Sequence, residues 1–222
     1  MDAAQAGQYF EAQPAAPSEP RSVRLALPDA TIRLQSDRGV FSYQAVDPGT
    51  RYLLQEGELP DLATPGPATP GGIGGAHLLD LGCGYGPIAV TLARRCPHAT
   101  VWAVDVNERA VELTRRNAAR LGLTNLRALV AGDPRRAEAA GLPPDVRFAA
   151  IWSNPPIRIG KDALHALLLA WFDRLASGGR ACLVVQKHLG SDSLARWLTD
   201  HGWVTTRRSS RAGYRLLDVA HR

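Results

Sequence analysis

The sequence predicts an α/β fold: a seven-stranded, mostly parallel sheet with helices on both faces, ending in a C-terminal antiparallel hairpin. Two observations carry this expectation. From residue 76 onward, short apolar runs of strand character alternate with longer helical ones, and such crossovers force the strands parallel. The first of these strands, His77–Leu81, then runs into Gly82-Cys83-Gly84-Tyr85-Gly86, and Pro87 opens a helix directly behind that turn. Glycine is needed where backbone must approach a ligand with no Cβ in between. Open parallel sheets hold their ligands at the carboxyl ends of the strands.

The elements follow in order. Residues 1–20 are small, polar and proline-bearing, and read as an extended or partly ordered end. Val23–Leu27 and Thr31–Leu34 alternate apolar and polar around Pro28-Asp29-Ala30, which is a hairpin signal. Asp47-Pro48-Gly49-Thr50 before Tyr52-Leu53-Leu54 reads as a cap and a short helix. Clustered Pro, Gly, Thr and Ala over 59–75 read as a flexible loop. That loop divides an N-terminal cap, 1–58, from a core domain, 76–222. In the core the expected strands are His77–Leu81, Thr100–Asp105, Leu126–Val130, Phe148–Ser153, Arg180–Gln186, Val204–Arg208 and Tyr214–Ala220. The expected helices are Pro87–Arg95, Glu108–Leu121, Lys161–Leu175 and Asp192–His201, the second stopped by Gly122.

Bulk composition narrows the function classes. The chain has 222 residues, 45% hydrophobic and 21% charged, as in an ordinary globular protein. No apolar run approaches a bilayer span, and the N-terminus lacks a charged-then-apolar signal, so no membrane partner is expected. Cys83, Cys96 and Cys182 have neither paired nor metal-like spacing, which fits a reduced, cytoplasmic protein without a metal centre. A formal net charge of +5 favours an anionic partner, nucleic acid first. An arginine-rich composition produces the same charge with no partner, so charge alone leaves both open.

The chemistry concentrates at strand ends. The glycine spacing is G-x-G-x-G rather than the G-x-G-x-x-G of nicotinamide sites, and Asp80 precedes it. A carboxylate there repels a pyrophosphate and suits a ligand carrying a cationic amine. Asp105 ends the second strand, where an acid can accept both hydroxyls of a ribose. Gly132-Asp133 follows the third strand and places an acid where an exocyclic adenine amine could be bound. Ser153-Asn154-Pro155-Pro156 ends the fourth strand. Its prolines fix a rigid extended turn, so the Asn154 side-chain oxygen and the Pro155 carbonyl can serve as two fixed acceptors for one NH₂ group.

Together, Asp80-Leu-Gly82-Cys-Gly84-Tyr-Gly86, Asp105, Asp133 and Asn154-Pro155-Pro156 resemble the Rossmann-like class I S-adenosylmethionine-dependent methyltransferases. Within them the chain is similar to the small-subunit ribosomal RNA guanine-N2 methyltransferases of RsmC type. Gly39-Val40-Phe41-Ser42 and Asp47-Pro48-Gly49-Thr50 extend the resemblance into the cap. The resemblance implies S-adenosyl-L-methionine as cofactor. Its methionine part would be held by Asp80 and Gly82, Cys83, Gly84 and Gly86, its ribose by Asp105, and its adenine by Val106 and Asp133. Asn154 stands between cofactor and target, and Asn154, Pro155 and Pro156 would form the catalytic turn. The implied partner is RNA, ribosomal RNA or a ribosomal subunit. Two departures stand out: Ile157 occupies the place of an aromatic that stacks on a flat target, and only a short cap stands where RNA-modifying relatives often carry a second domain. Ile157, Arg158, Lys161 and Lys187 are the candidate substrate contacts. A protein glutamine amide or a small molecule as methyl acceptor, and a non-catalytic RNA-associated module, remain open on the residues alone.

Overall fold

The structure, a computed structural model, describes residues 16–60 and 75–222. The extended-end reading for residues 1–15 and most of the expected 59–75 loop lie outside the described residues.

Two strands, β1 (Arg21–Ala26) and β2 (Thr31–Ser36), pair antiparallel as the first hairpin. Their inward residues Val23, Leu25, Ile32 and Leu34 are buried and their alternates exposed, the period-2 pattern visible in the sequence. Helix α1 (Pro48–Glu56) follows, with Asp47 as N-cap and proline in its first turn.

The main sheet is built from β3 (His77–Leu81), β4 (Thr100–Asp105), β5 (Leu126–Val130), β6 (Phe148–Ser153), β7 (Leu175–Gln186), β8 (Trp203–Arg211) and β9 (Tyr214–His221). Its order is β5-β4-β3-β6-β7-β9-β8. The first five are parallel, and β9 runs antiparallel between β7 and β8. The strand order reverses between β3 and β6, which opens a crevice at their carboxyl ends. The connecting helices are α2 (Pro87–Arg95), α3 (Glu108–Arg120), α4 (Pro134–Ala139), α5 (Lys161–Phe172) and α6 (Ser191–Asp200).

Alternation along the strands splits the core in two. Leu78, Val101, Ala103, Trp152 and Val184 pack with α1, α2, α3 and the β1–β2 hairpin. Leu79, Leu81, Val104, Ile151 and Leu183 pack with α4, α5 and α6 on the other face. The hairpin is stitched to the main body by Asn117 of α3, which is fully buried. Its amide accepts from the Gln35 backbone N–H at 2.7 Å and donates to the Gln35 and Tyr85 carbonyls at 2.8 and 2.9 Å. Asn117→Ala leaves those groups without their side-chain partner and is expected to cost about 2–4 kcal/mol, read as a drop in urea midpoint at unchanged m-value.

Three elements differ from the sequence expectation. Strand β7 begins at Leu175 rather than Arg180, because Phe148 pairs with Leu175 and Ala150 with Arg180, so the intervening glycines loop out of the ladder. Helix α5 therefore ends at Phe172. Helix α4 has no counterpart in the sequence reading, being only six residues long.

Candidate active site

A cavity of about 740 Å³ lies at the carboxyl ends of β3, β4 and β6. Of the residues singled out in the sequence, Gly82, Gly84, Asp105, Val106, Asn154, Pro155, Pro156, Ile157 and Arg158 line it.

The floor is the turn after β3. Gly82 and Cys83 donate their backbone N–H groups to the Val104 carbonyl at 2.9 and 3.0 Å, which pins the turn to the neighbouring strand. Gly82 and Gly84 have φ of 79° and 54°, and a Cβ on either would project into open space. The backbone is therefore bare toward the cavity, as a close-fitting ligand requires. Gly86 serves packing instead: a Cβ there would stand 2.9 Å from the Thr114 hydroxyl.

Asp80 lies fully buried behind this turn. One of its oxygens accepts from the Ala89 backbone N–H at 2.9 Å, capping α2, whose own N-cap is glycine. The other oxygen, Oδ1, is buried with no partner among the described residues. Burial, aided by the charge of Asp105, pushes its carboxyl up to about 8. Asp105 accepts from Gly84 and Asn107 backbone N–H groups at 2.9 and 3.0 Å, holding the two turns together. Cys83 is buried, and burial keeps it a thiol. It is a packing residue of the turn wall.

The opposite wall is the turn after β6. The Ser153 hydroxyl donates to the Leu81 carbonyl and locks the ends of β6 and β3 together. Pro156, at φ −76° and ψ 71°, forms an inverse γ-turn in which Ile157 donates its N–H to the Pro155 carbonyl at 2.8 Å. That carbonyl keeps a second lone pair. The Asn154 amide nitrogen donates to Asp47 Oδ2 at 2.9 Å and to Thr50 Oγ1 at 3.0 Å. A carboxylate can only accept, so this contact assigns the nitrogen to Asp47 and leaves Asn154 Oδ1 as the acceptor.

Asp47-Pro48-Gly49-Thr50 is thus part of the site as well as a helix start. Asp47 caps α1 through the Thr50 N–H while gripping Asn154 with the same oxygen. Gly49 lies so close to the Tyr214 ring that a Cβ would come within 2.5 Å of it. Tyr214 accepts from the Gln186 amide at 2.8 Å, and both line the cavity with Phe41 and Tyr43.

The remaining sequence candidates stand apart from the cavity. The Asp133 carboxylate accepts from the Arg136 backbone N–H at 3.0 Å and caps α4, while its neighbours Ala131 and Gly132 line the wall. Lys161 is an exposed residue at the start of α5, and Lys187 lines a neighbouring concavity.

A glycine turn and an Asn-Pro-Pro turn facing each other across the reversal point of this sheet define a Rossmann-like methyltransferase fold. The chain belongs to the methyltransferase small-domain family, whose model matches residues 31–217, and this family uses S-adenosylmethionine. YbxB of Bacillus subtilis (strain 168), itself uncharacterized, is 36% identical over 185 residues, covering 83% of this chain and 84% of YbxB. Ribosomal RNA small subunit methyltransferase C of Pseudomonas aeruginosa (strain LESB58) is 34% identical over 195 residues, covering 79% of this chain and 52% of that protein. The solved structure of the T. thermophilus 16S rRNA N2 G1207 methyltransferase (RsmC), in complex with AdoMet and guanosine, is similar with a TM-score of 0.71 and 25% identity. That match covers 94% of this chain and 52% of the other. The chain thus spans about half the length of the RsmC proteins it matches.

The residues present fit the cofactor. Bare glycine backbone and the recessed Asp105 carboxylate line the cavity and offer contacts for a ligand with an amine and a ribose, while the orphaned Asp80 oxygen lies buried behind the glycine turn, outside the lining.

Proposed function

We propose that this domain methylates the exocyclic N2 of a guanine in ribosomal RNA. Asn154 carries the reading: its nitrogen is engaged by Asp47 and Thr50, which leaves its oxygen as the acceptor, and Asn154 and Pro155 both line the cavity. A planar amine can donate one N–H to each acceptor. This fixes its nitrogen and stabilises the positive charge that builds on it during attack. The cofactor supplies a methyl group on a positively charged sulfur. Support for a flat target comes from Phe41, which lines the cavity and is 45% exposed although large and apolar. Phe41 and Ile157 line the same cavity, so in this reading Phe41 supplies the aromatic face that Ile157 lacks, and a paired base would have to be flipped out to reach it. The RsmC similarity supports RNA over a glutamine amide or a small molecule, and methylation of ribosomal RNA fits a cytoplasmic protein. Among the described residues no helix is long and apolar enough to cross a membrane.

The test offers tritiated donor with ribosomal subunits, naked ribosomal RNA, total protein and small-molecule extract in parallel. Label in RNA is expected, and label confined to protein or small molecules would overturn the substrate assignment.

Asp80 makes donor binding pH-dependent in this reading. With its carboxyl at about 8, Asp80 holds a proton in the unliganded protein, and a cationic amine bound in front of the glycine turn favours its ionised form. Donor affinity is expected to rise as pH climbs from 6 to 8, by up to about tenfold per unit, with one proton released. Titration calorimetry in buffers of different ionisation enthalpy reads this directly, and Asp80→Asn is expected to abolish the slope. The sign for stability is opposite. Between the ordinary carboxylate range and about 8 the folded chain keeps a proton that the unfolded chain has lost, so the unliganded protein weakens as pH rises and levels off above 8.

A further inference from the structure

A second concavity adjoins the first, and its lining is built from the tip of the β8–β9 hairpin. It contains Lys187, Arg207, Arg208, Arg211 and Arg215 together with two serines, and no carboxylate is among its lining residues. We propose that this concavity grips the backbone phosphates of the RNA strand that flanks the target base. The inference rests on the RNA reading above and adds where on the protein the strand runs.

Position is the first argument. Strand β7 ends at Gln186, which lines the active-site cavity, and Gln186 pairs with Tyr214, the first residue of β9. Arg211 pairs with Tyr214 from the other side, so the hairpin tip lies on the same sheet edge as the catalytic turn. Tyr214 lines both cavities and joins them. The Lys187 N–H donates to the Gly213 carbonyl at 2.7 Å, fastening the segment after β7 to the tip.

Charge is the second. Two of the five cations are committed within the protein: Arg208 to Asp218 and Glu58, at 2.7 and 2.6 Å, and Arg215 to Asp192. Lys187, Arg207 and Arg211 are exposed and have no acidic partner among the described residues. Excess cations facing no acid, beside a site for a polyanion, are the arrangement that backbone contacts need.

Edge protection does not account for the cluster. Strand β8 is an outer strand, and charged side chains there blunt edge-to-edge pairing. Such charges belong along the whole edge, yet the half from Trp203 to Thr206 carries none and leaves Val204 46% exposed. The cations begin at Arg207, after which the register shifts, and continue to the tip. They are concentrated at the end nearest the cavity.

The experiment measures binding of a fluorescein-labelled, guanine-containing single-stranded oligoribonucleotide by anisotropy across a salt series, with methyl transfer to naked ribosomal RNA assayed alongside. Full-length wild type is compared with Arg207→Gln/Arg211→Gln and with a control of equal charge loss on α3, Arg116→Gln/Arg120→Gln. The hairpin variant is expected to bind roughly tenfold or more weakly at low salt, and its salt slope to fall by about 1.4, two single-strand phosphate contacts. The control is expected to keep the wild-type slope. Donor binding by calorimetry is expected to match in all three, which shows that each is folded. If wild type binds and methylates RNA and the hairpin variant keeps its affinity and slope, the phosphate site is wrong while the RNA reading stands. Equal losses in both variants point to net charge and overturn the site as well. If wild type binds donor but neither binds nor methylates RNA, both fall.

Discussion

Replacing Asn154 by alanine is expected to lower kcat by about 10²–10³-fold while leaving donor affinity within a few-fold of wild type. In the proposed reaction the loss is one of two fixed acceptors for the amine, and it acts where charge develops rather than where the donor is held. The fold should survive, because Asp47 still caps α1 through the Thr50 N–H once its contact to Asn154 is gone. Asn154→Asp is no rescue. It sets a carboxyl against the Asp47 carboxylate, which has no proton to offer, so the side chain loses its anchor. Single-turnover kinetics with saturating donor separate this effect from any change in binding.

Asp47, which lines the cavity and holds the Asn154 amide, is expected to give the second largest effect. Asp47→Ala removes the helix cap, costing about 1 kcal/mol of stability. It also frees the Asn154 amide to rotate, and positioning partners of this kind are typically worth about 10–100-fold. Two further variants divide these roles. Serine caps helices as well as aspartate does but is too short to hold Asn154 as well, so Asp47→Ser should recover the stability and not the rate. Asparagine keeps an acceptor oxygen at the same reach, and Asp47→Asn should recover both to within a few-fold. Thermal melts and kcat measured on the same preparations decide it; rates that simply track stability would show that Asp47 only caps.

These two predictions mark the line between what the sequence shows and what it hides. The strands around the crevice are legible because apolar runs such as Val101–Val104 and Phe148–Trp152 are short, uniform and bounded by turn residues. The glycine and Asn-Pro-Pro turns were legible because their residues act on backbone geometry, which is a local property. The Asp47–Asn154 bond was hidden by 107 residues of separation. Asp47 looked like a cap, and it is one; the second task of the same oxygen appears only when α1 meets the end of β6. Gly49 was hidden in the same way, since what it accommodates is Tyr214, far along the chain.

Asp133 reads as an acid at a strand end, but Pro134 directly after it starts a helix whose orphan N–H groups its carboxylate satisfies. Six residues are too few to show a helical period, so α4 left no pattern. Gly178 and Gly179 read as a break before β7, whereas Leu175 already pairs with Phe148 and the glycines bulge between two parts of one strand. Asp80 reads as a charge set for a cationic ligand, yet one of its oxygens works as a structural cap for α2 and only the other is left over.

The identity of the methylated nucleoside tests the account most directly. Ribosomal RNA treated with donor and wild-type protein would be digested to nucleosides and resolved by mass spectrometry against standards, with Asn154→Ala in parallel. N2-methylguanosine is expected from wild type and almost none from the variant. Methyl on another base or on a ring nitrogen or ribose, or equal N2-methylguanosine from both proteins, would contradict it.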